Sequence, residues 1–329
     1  MEYAEIVEPF ERMLEAVSPP DAVRAVERGE GFDAMWNEIS ASGFLDALVS
    51  ETAGGFGLPA RAVEQLWQAL GRHAVPLPVG ETMIARALLA EAGQEVPNGP
   101  IALAIGEAGK PVIVPMGLVT RHFLVQQGAG LSLVAVQPEA AQPTGVAGSF
   151  AARIQFNALP GQFAAPPQGL RAQAALLRAA LIAGAADRLL GMTSAYANER
   201  VQFGKPIGRQ QALQQQMAVM AEQAVAARFA SQIGCAGGLP PALSAVATAK
   251  SVASKAAAEI AAIAHAVHGA IGISAEFDLN LYTRRLHEWR LGDGSESYWN
   301  RLLGAERLLH PTGSVDYIRQ AIAEPAPAA

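Results

Sequence analysis

The sequence predicts a mainly α-helical protein with a small β domain in its middle. Three observations carry this. Apolar residues recur at helical spacing through residues 1–96. Residues 97–165 change texture, to short Val-, Ile- and Phe-rich runs separated by Gly, Pro and Gln. Residues 166–318 return to long Ala-, Leu- and Ser-rich helical runs. These stretches are read as an N-terminal helical domain, a middle β domain and a C-terminal four-helix bundle. The remainder, 319–329, ends in Glu324-Pro-Ala-Pro-Ala-Ala329 and is expected to be disordered.

In the first stretch, Glu8–Val17 and Phe32–Leu48 have helical spacing. The Gly-rich loop Glu51-Thr-Ala-Gly-Gly-Phe-Gly-Leu-Pro59 follows. Next come Ala62–His73, with Val63, Leu66, Trp67 and Leu70 on one face, and Thr82–Glu91. Five runs are predicted as strands of one antiparallel sheet: Ile101–Ile105, Val112–Pro115, Phe123–Gln126, Leu131–Val136 and Ala151–Phe156. Beyond the linker Ala164–Gly169, Leu170–Arg200 reads as one long helix. In Gln210–Gln232, Leu213, Met217, Met220, Ala224 and Ala227 step by four, three, four and three residues, a packing seam. Gly234–Pro241 is expected to break that helix. Ala242–His268, with Ile260, Ile263 and Val267 on a face, and Trp299–Leu309 complete the bundle.

Composition narrows the function. A chain of 329 residues, 51% hydrophobic, can bury a large core and exceeds one simple domain. Only 16% of residues are charged, which points to surface hidden in an oligomer. A net charge of −6 without a basic stripe argues against nucleic acid. No polybasic segment suggests a membrane surface, and Ile101–Gly106 and Val112–Thr120 are too short to span a bilayer. The acidic N-terminus lacks the flank and apolar run of a signal peptide. Cys235 is the only cysteine, so no intrachain disulfide forms, as fits a cytoplasmic location. No Cys/His cluster has zinc spacing.

The chemistry concentrates in three segments. In Glu199-Arg-Val-Gln-Phe-Gly-Lys-Pro-Ile-Gly-Arg-Gln-Gln-Ala-Leu-Gln214, a helix ends near Arg200, a Gly/Pro turn follows and a helix starts near Gln210. An Arg there can fork onto a pyrophosphate, or simply pair with Glu199 at a solvated corner. Phe203 can cover a ring or sugar. The second segment, Ala264-His-Ala-Val-His-Gly-Ala-Ile-Gly-Ile-Ser-Ala-Glu276, ends a helix near Gly269 and Gly272, which allow a tight turn beside a ligand. His268 is read as a satisfied interhelical histidine. The third, Leu291-Gly-Asp-Gly-Ser-Glu-Ser-Tyr-Trp299, offers Asp293 as a base, or as the cap of the next helix bonding near Ser295 and Glu296. Glu296 is a second carboxylate one turn on.

These strings resemble the acyl-CoA dehydrogenase family. The first matches its R-x-Q-F-G-x-P-I-x-x-x-Q-x-x-Q signature, the second its Q-x-H-G-G/A-x-G-x-x-x-E motif with Ala266 in place of Gln. Tyr282-Thr-Arg-Arg285 is similar to the family's following helix. The loop Glu51–Leu58 and Ala69-Leu-Gly-Arg72 resemble its E-x-x-G-G-x-G-L and E-L-G-R segments. The resemblance implies an acyl-CoA dehydrogenase-like fold and an FAD contacted, across a subunit interface, by Arg200, Gln202, Phe203, Ile207, Gln210 and Gln211, with Gly269 and Ser295 also at the cofactor. Asp293 stands where the family's catalytic Glu removes the α-proton of an acyl thioester.

The middle stretch departs from the family. Ile105-Gly-Glu-Ala-Gly109 echoes only the start of its β domain, and no Trp lies between Trp67 and Trp289. Shortened members of this kind resemble the small subunits of heteromeric acyl-CoA dehydrogenases acting on steroid or other bulky CoA thioesters. The implied function is FAD-dependent α,β-dehydrogenation of an acyl-CoA, with electrons passing to an electron-transfer flavoprotein, in a homo- or hetero-oligomer. Two alternatives stay open: a non-catalytic partner subunit contributing to a FAD site, and a related flavin oxidase.

Overall fold

The computed structural model describes residues 3–323. Five helices come first: α1 (Ala4–Val17), α2 (Pro20–Glu27), α3 (Phe32–Ala41), α4 (Ala60–Arg72) and α5 (Val79–Glu91). α2 is too short for periodicity to signal; Pro20 opens it at its first position, where a missing N–H costs nothing. Helical spacing predicts one helix from Phe32 to Leu48, but α3 ends at Ala41. Gly43, at φ 80°, takes the left-handed turn that ends it, and a 3₁₀ turn over Phe44–Asp46 follows. That turn brings the Phe44 ring to 4.7 Å from Phe10.

The middle stretch contains β1 (Ile101–Ile105), β2 (Pro111–Val114), β3 (His122–Gln127), β4 (Gly130–Ala135), β5 (Gln142–Pro143), β6 (Ala152–Gln155) and β7 (Phe163–Ala164). They form two sheets, not one antiparallel sheet. The first has order β1-β3-β4-β7 and the second β2-β6-β5. β1 pairs with β3 in parallel, Ile101 opposite His122, because β2 leaves for the other sheet between them. Ala102, Ala104, Phe123 and Val125 pack with Val114, Ile154 and Phe156 in a core of their own. Ile101, Leu103 and Leu124, on the opposite face, join the core of the helices.

The C-terminal stretch consists of α6 (Gly169–Glu199), α7 (Gln211–Cys235), α8 (Leu243–His268), α9 (Leu279–Leu291) and α10 (Glu296–Leu309), then a short α11 (Ser314–Tyr317). α7 ends at Cys235, within the Gly234–Pro241 break, but Gly234 itself is still helical. A Cβ there would lie 2.6 Å from Leu176 and 2.7 Å from Ala249, so this glycine serves close packing and not a break. α4 crosses α6 more closely still: a Cβ on Gly184 would meet the Gln68 carbonyl at 1.8 Å, and one on Gly71 the Leu181 carbonyl at 2.1 Å. One core runs from Phe10 through Trp67, Leu177 and Ile260 to Trp299.

Two expectations are corrected at the C-terminal side. Within 319–329, Arg319–Ala323 belong to a π-helical turn, Ile318–Ala323, tied down by Ser244 Oγ donating to Ala321 O at 2.8 Å; residues 324–329 lie outside the described residues. Leu243–Ile273 is long and apolar enough to cross a membrane, contrary to the expectation that the apolar stretches are too short. Its Ala-rich faces pack against α6, α7, α9 and α10, which makes it a core helix of the bundle.

Candidate active site and cofactor corner

The corner between α6 and α7 is a small hairpin. Val201–Gln202 pairs with Lys205–Pro206, and both turn residues, Phe203 at φ 54° and Gly204 at φ 76°, are left-handed. A phenylalanine in that conformation costs on the order of 1 kcal/mol, and Phe203 is 91% exposed, so nothing among the described residues compensates for it. Arg200 is exposed and has no carboxylate partner among the described residues; the alternative, a pair with Glu199, does not form. Gln210 stands at the α7 N-terminus without a side-chain cap, leaving amides that favour an anion. Ile207, implied as a cofactor contact, is buried against Ala197 and Val267.

The end of α8 lies against this corner. The Tyr196 ring stacks on His268 at 4.4 Å, and its hydroxyl donates to His268 O at 3.4 Å. The structure therefore joins the first two segments, placing Gly269, at φ 61°, beside the hairpin. His268 is only half satisfied. Nδ1 pairs with Ala264 O at 2.8 Å, whereas Nε2 is buried without a partner. Burial holds this ring below the usual imidazole range, against the bond to Ala264, so Nε2 is a free acceptor at neutral pH.

Asp293 lies elsewhere. It occupies the α9–α10 loop at φ 57°, followed by Gly294 at φ 100°. It does not cap α10: Ser295 holds the N-cap position, with no side-chain cap bond. The Asp293 carboxylate turns instead to Arg178 Nε at 3.1 Å, and Arg178 also binds Glu81 Oε1 at 2.6 Å. Trp299 Nε1 donates to the Asp293 carbonyl at 3.1 Å. Glu296 is taken by Arg290, with Nε to Oε2 at 3.1 Å, and that bond holds its carboxyl below the usual range.

Asp293 borders a cleft of about 670 Å³ between the sheets and α9, with Leu103, Ile105, Ile113, Val146 and Arg171 among its walls. Arg178, Glu81 and a buried lysine, Lys250, were not singled out in the sequence. Lys250 Nζ donates to Ser254 Oγ and to the carbonyls of Trp289 and Arg290 at the end of α9, which anchors the loop carrying Asp293. Arg178 had one signal, a lone charge inside the apolar run Ala174–Ala183, whereas Glu81 and Lys250 share their helices with other charges, Arg86 and Lys255 among them.

The cleft and the corner do not meet within one chain. Arg178 and Arg200 mark positions 22 residues apart along α6 and its C-cap, about 33 Å at 1.5 Å per residue.

Comparison with known proteins agrees with this architecture. The acyl-CoA dehydrogenase C-terminal domain matches residues 171–309. The chain is 31% identical over 282 residues to the acyl-CoA dehydrogenase IpdE2 of Mycolicibacterium smegmatis, covering 84% of this chain and 89% of that one. It is 32% identical to IpdE2 of Mycobacterium tuberculosis, covering 82% and 85%. The chain belongs to the acyl-CoA dehydrogenase family, and so to the oxidoreductases. Its fold is shared with a Tcur3481–Tcur3483 steroid ACAD variant, at TM-score 0.79 and 24% identity over 92% of this chain and 97% of that one. It is shared too with the ChsE4–ChsE5 complex of Mycobacterium tuberculosis, at TM-score 0.72 and 22% identity over 95% and 99%.

Proposed function

We propose that this chain is one subunit of a heteromeric acyl-CoA dehydrogenase, oxidising a bulky acyl-CoA thioester between its α and β carbons with FAD as acceptor. The observation that carries the sharing of sites between subunits is the separation of the two half-sites by about 33 Å along α6. A cofactor gripped at the Arg200 corner is out of reach of this chain's own cleft, so corner and cleft are completed by different subunits. The ChsE4–ChsE5 complex offers a precedent for two-chain assembly, and the steroid ACAD for a bulky acyl group.

The corner fits a dinucleotide edge: a guanidinium at Arg200 and the Nε2 of His268 near Gly269, neither with a partner among the described residues, an exposed ring at Phe203, and amides at Gln202, Gln210 and Gln211. At the cleft, Asp293 receives the α-proton, and the electron pair left on carbon forms the new double bond. FAD, when bound, accepts the β-hydride. An electron-transfer flavoprotein then collects the electrons.

A second reading has its own support. Arg178 already engages one Asp293 oxygen, and Ala266 replaces a family Gln, as suits a subunit that lends its corner while its partner does the chemistry. Anaerobic bleaching of the flavin in the reconstituted assembly, by a panel of linear and steroid side-chain CoA thioesters, tests both. Full flavin that no thioester bleaches overturns the dehydrogenase reading. Bleaching that survives Asp293→Asn assigns the base to the partner.

A further inference from the structure

We infer that Glu81 is a positioning residue for Asp293, acting through Arg178 to let the Asp293 carboxyl take up a proton. This rests on the reading of Asp293 as the proton acceptor of the cleft. Glu81 and Arg178 are each 2% exposed. Arg178, from the middle of α6, is held between Glu81 of α5 at 2.6 Å and Asp293 at 3.1 Å. Three elements far apart in sequence thus converge on one guanidinium that serves two carboxylates.

The count of charges gives the arrangement its function. Two carboxylates and one guanidinium carry a net charge of one minus. A proton arriving on Asp293 leaves Glu81 and Arg178 as a neutral, hydrogen-bonded pair. Without Glu81, the same proton would strand Arg178 as an unpaired charge in the interior, which is strongly unfavourable. Asp293 would then stay ionised, locked to Arg178. Of the two carboxylates, only Asp293 reaches the cleft.

Among the described residues no other carboxylate contacts Arg178, and the Lys250 ammonium, which also attracts Asp293, cannot stand in for one. Lys250, from α8, gives its three donors to Ser254, Trp289 and Arg290. Glu296 of α10 is paired with Arg290 of α9, and Arg285 with Glu27. Glu288 accepts from Ser149 Oγ at 2.6 Å. The loop itself is fixed by Trp299 on the Asp293 carbonyl, so the effect is one of charge and not of loop movement.

The test reads the carboxyl directly, on the full chain. Protein labelled with ¹³C at the aspartate carboxyls is titrated by NMR, the Asp293 signal being identified by its loss in Asp293→Asn. Glu81→Gln is expected to lower the Asp293 midpoint by about one to three pH units, because Arg178 then has no other counter-ion. Glu81→Asp, whose shorter side chain loosens the bond, is expected to move it the same way by less, and serves if Glu81→Gln does not fold. A merely structural Glu81 would lower the melting temperature and leave the midpoint in place; an unmoved midpoint in a folded variant overturns the inference. Flavin bleaching that persists in Asp293→Asn would sink only the reading of Asp293 as base, and the titration would stand.

Discussion

Arg200 sits just past the last residue of α6, exposed, beside a hairpin whose Phe203 is held in a strained conformation with its ring in solvent. A guanidinium on a pyrophosphate makes charge-assisted bonds worth about 1.5–3 kcal/mol each. Arg200→Ala should therefore weaken FAD binding in the assembly by about one to two decades per bond. The melting temperature should hardly move, since the side chain makes no ion pair among the described residues. Arg200→Lys should recover only part, because an ammonium cannot fork onto two oxygens. Flavin titration of the apo-assembly checks this; equal affinities for wild type and Arg200→Ala would reject the corner as a FAD site. At this scale the sequence was legible where chemistry is written contiguously, as in Arg200–Gln211. It was not legible at Asp293, whose partner lies 115 residues away in α6, so capping and catalysis could not be told apart.

Helices explain what holds these residues in place. Gly184 lets α6 lie directly on α4, and an added methyl would strike the Gln68 carbonyl and the Arg72 amide, backbone that cannot step aside. Gly184→Ala should cost about 1–3 kcal/mol or more and lower the melting point by several degrees; an unchanged melt would show that the crossing has slack. α9 is closed by Lys250, an ammonium at a helix C-terminus, where a cation is favoured. Burial brings this lysine down to about 7, with Asp293 pulling the other way. Its folded pKa thus lies below the ordinary 10.5. As pH rises above 7 the folded state releases the proton while the unfolded chain keeps it, so stability rises towards alkaline pH, by at most about 1.4 kcal/mol per pH unit. Lys250→Met should lose that slope. Melting curves from pH 6.5 to 9 would show the wild type gaining on the variant, and parallel trends would contradict a buried, titrating lysine.

Across the whole molecule, the helical–β–helical order was legible because long periodic runs survive small errors at their ends. The pairing of strands was not: β1 is buried on both faces, so it shows no alternation from which its side, or its parallel register with β3, could be read. Nor does periodicity report that the N-terminal helices and the bundle share one core, from Phe10 to Trp299. What remains open on this surface is informative. Phe203, Val201 and Ile273 are exposed apolar residues flanking Arg200 and Gly269, at the end of α6 away from the cleft. The proposed FAD corner has no walls of its own, so the chain purified alone is expected to be flavin-poor. With a homologous subunit that supplies the missing walls, it should retain stoichiometric FAD and sediment as a mixed oligomer. Covering this patch should also bring concentration-dependent stabilisation, because assembly adds its binding free energy to folding. Absorbance of the purified chain, alone and after mixing, reads the first effect, and sedimentation velocity the second. Stoichiometric FAD on the chain alone would reject the heteromer and leave copies of this one chain to complete each other's sites.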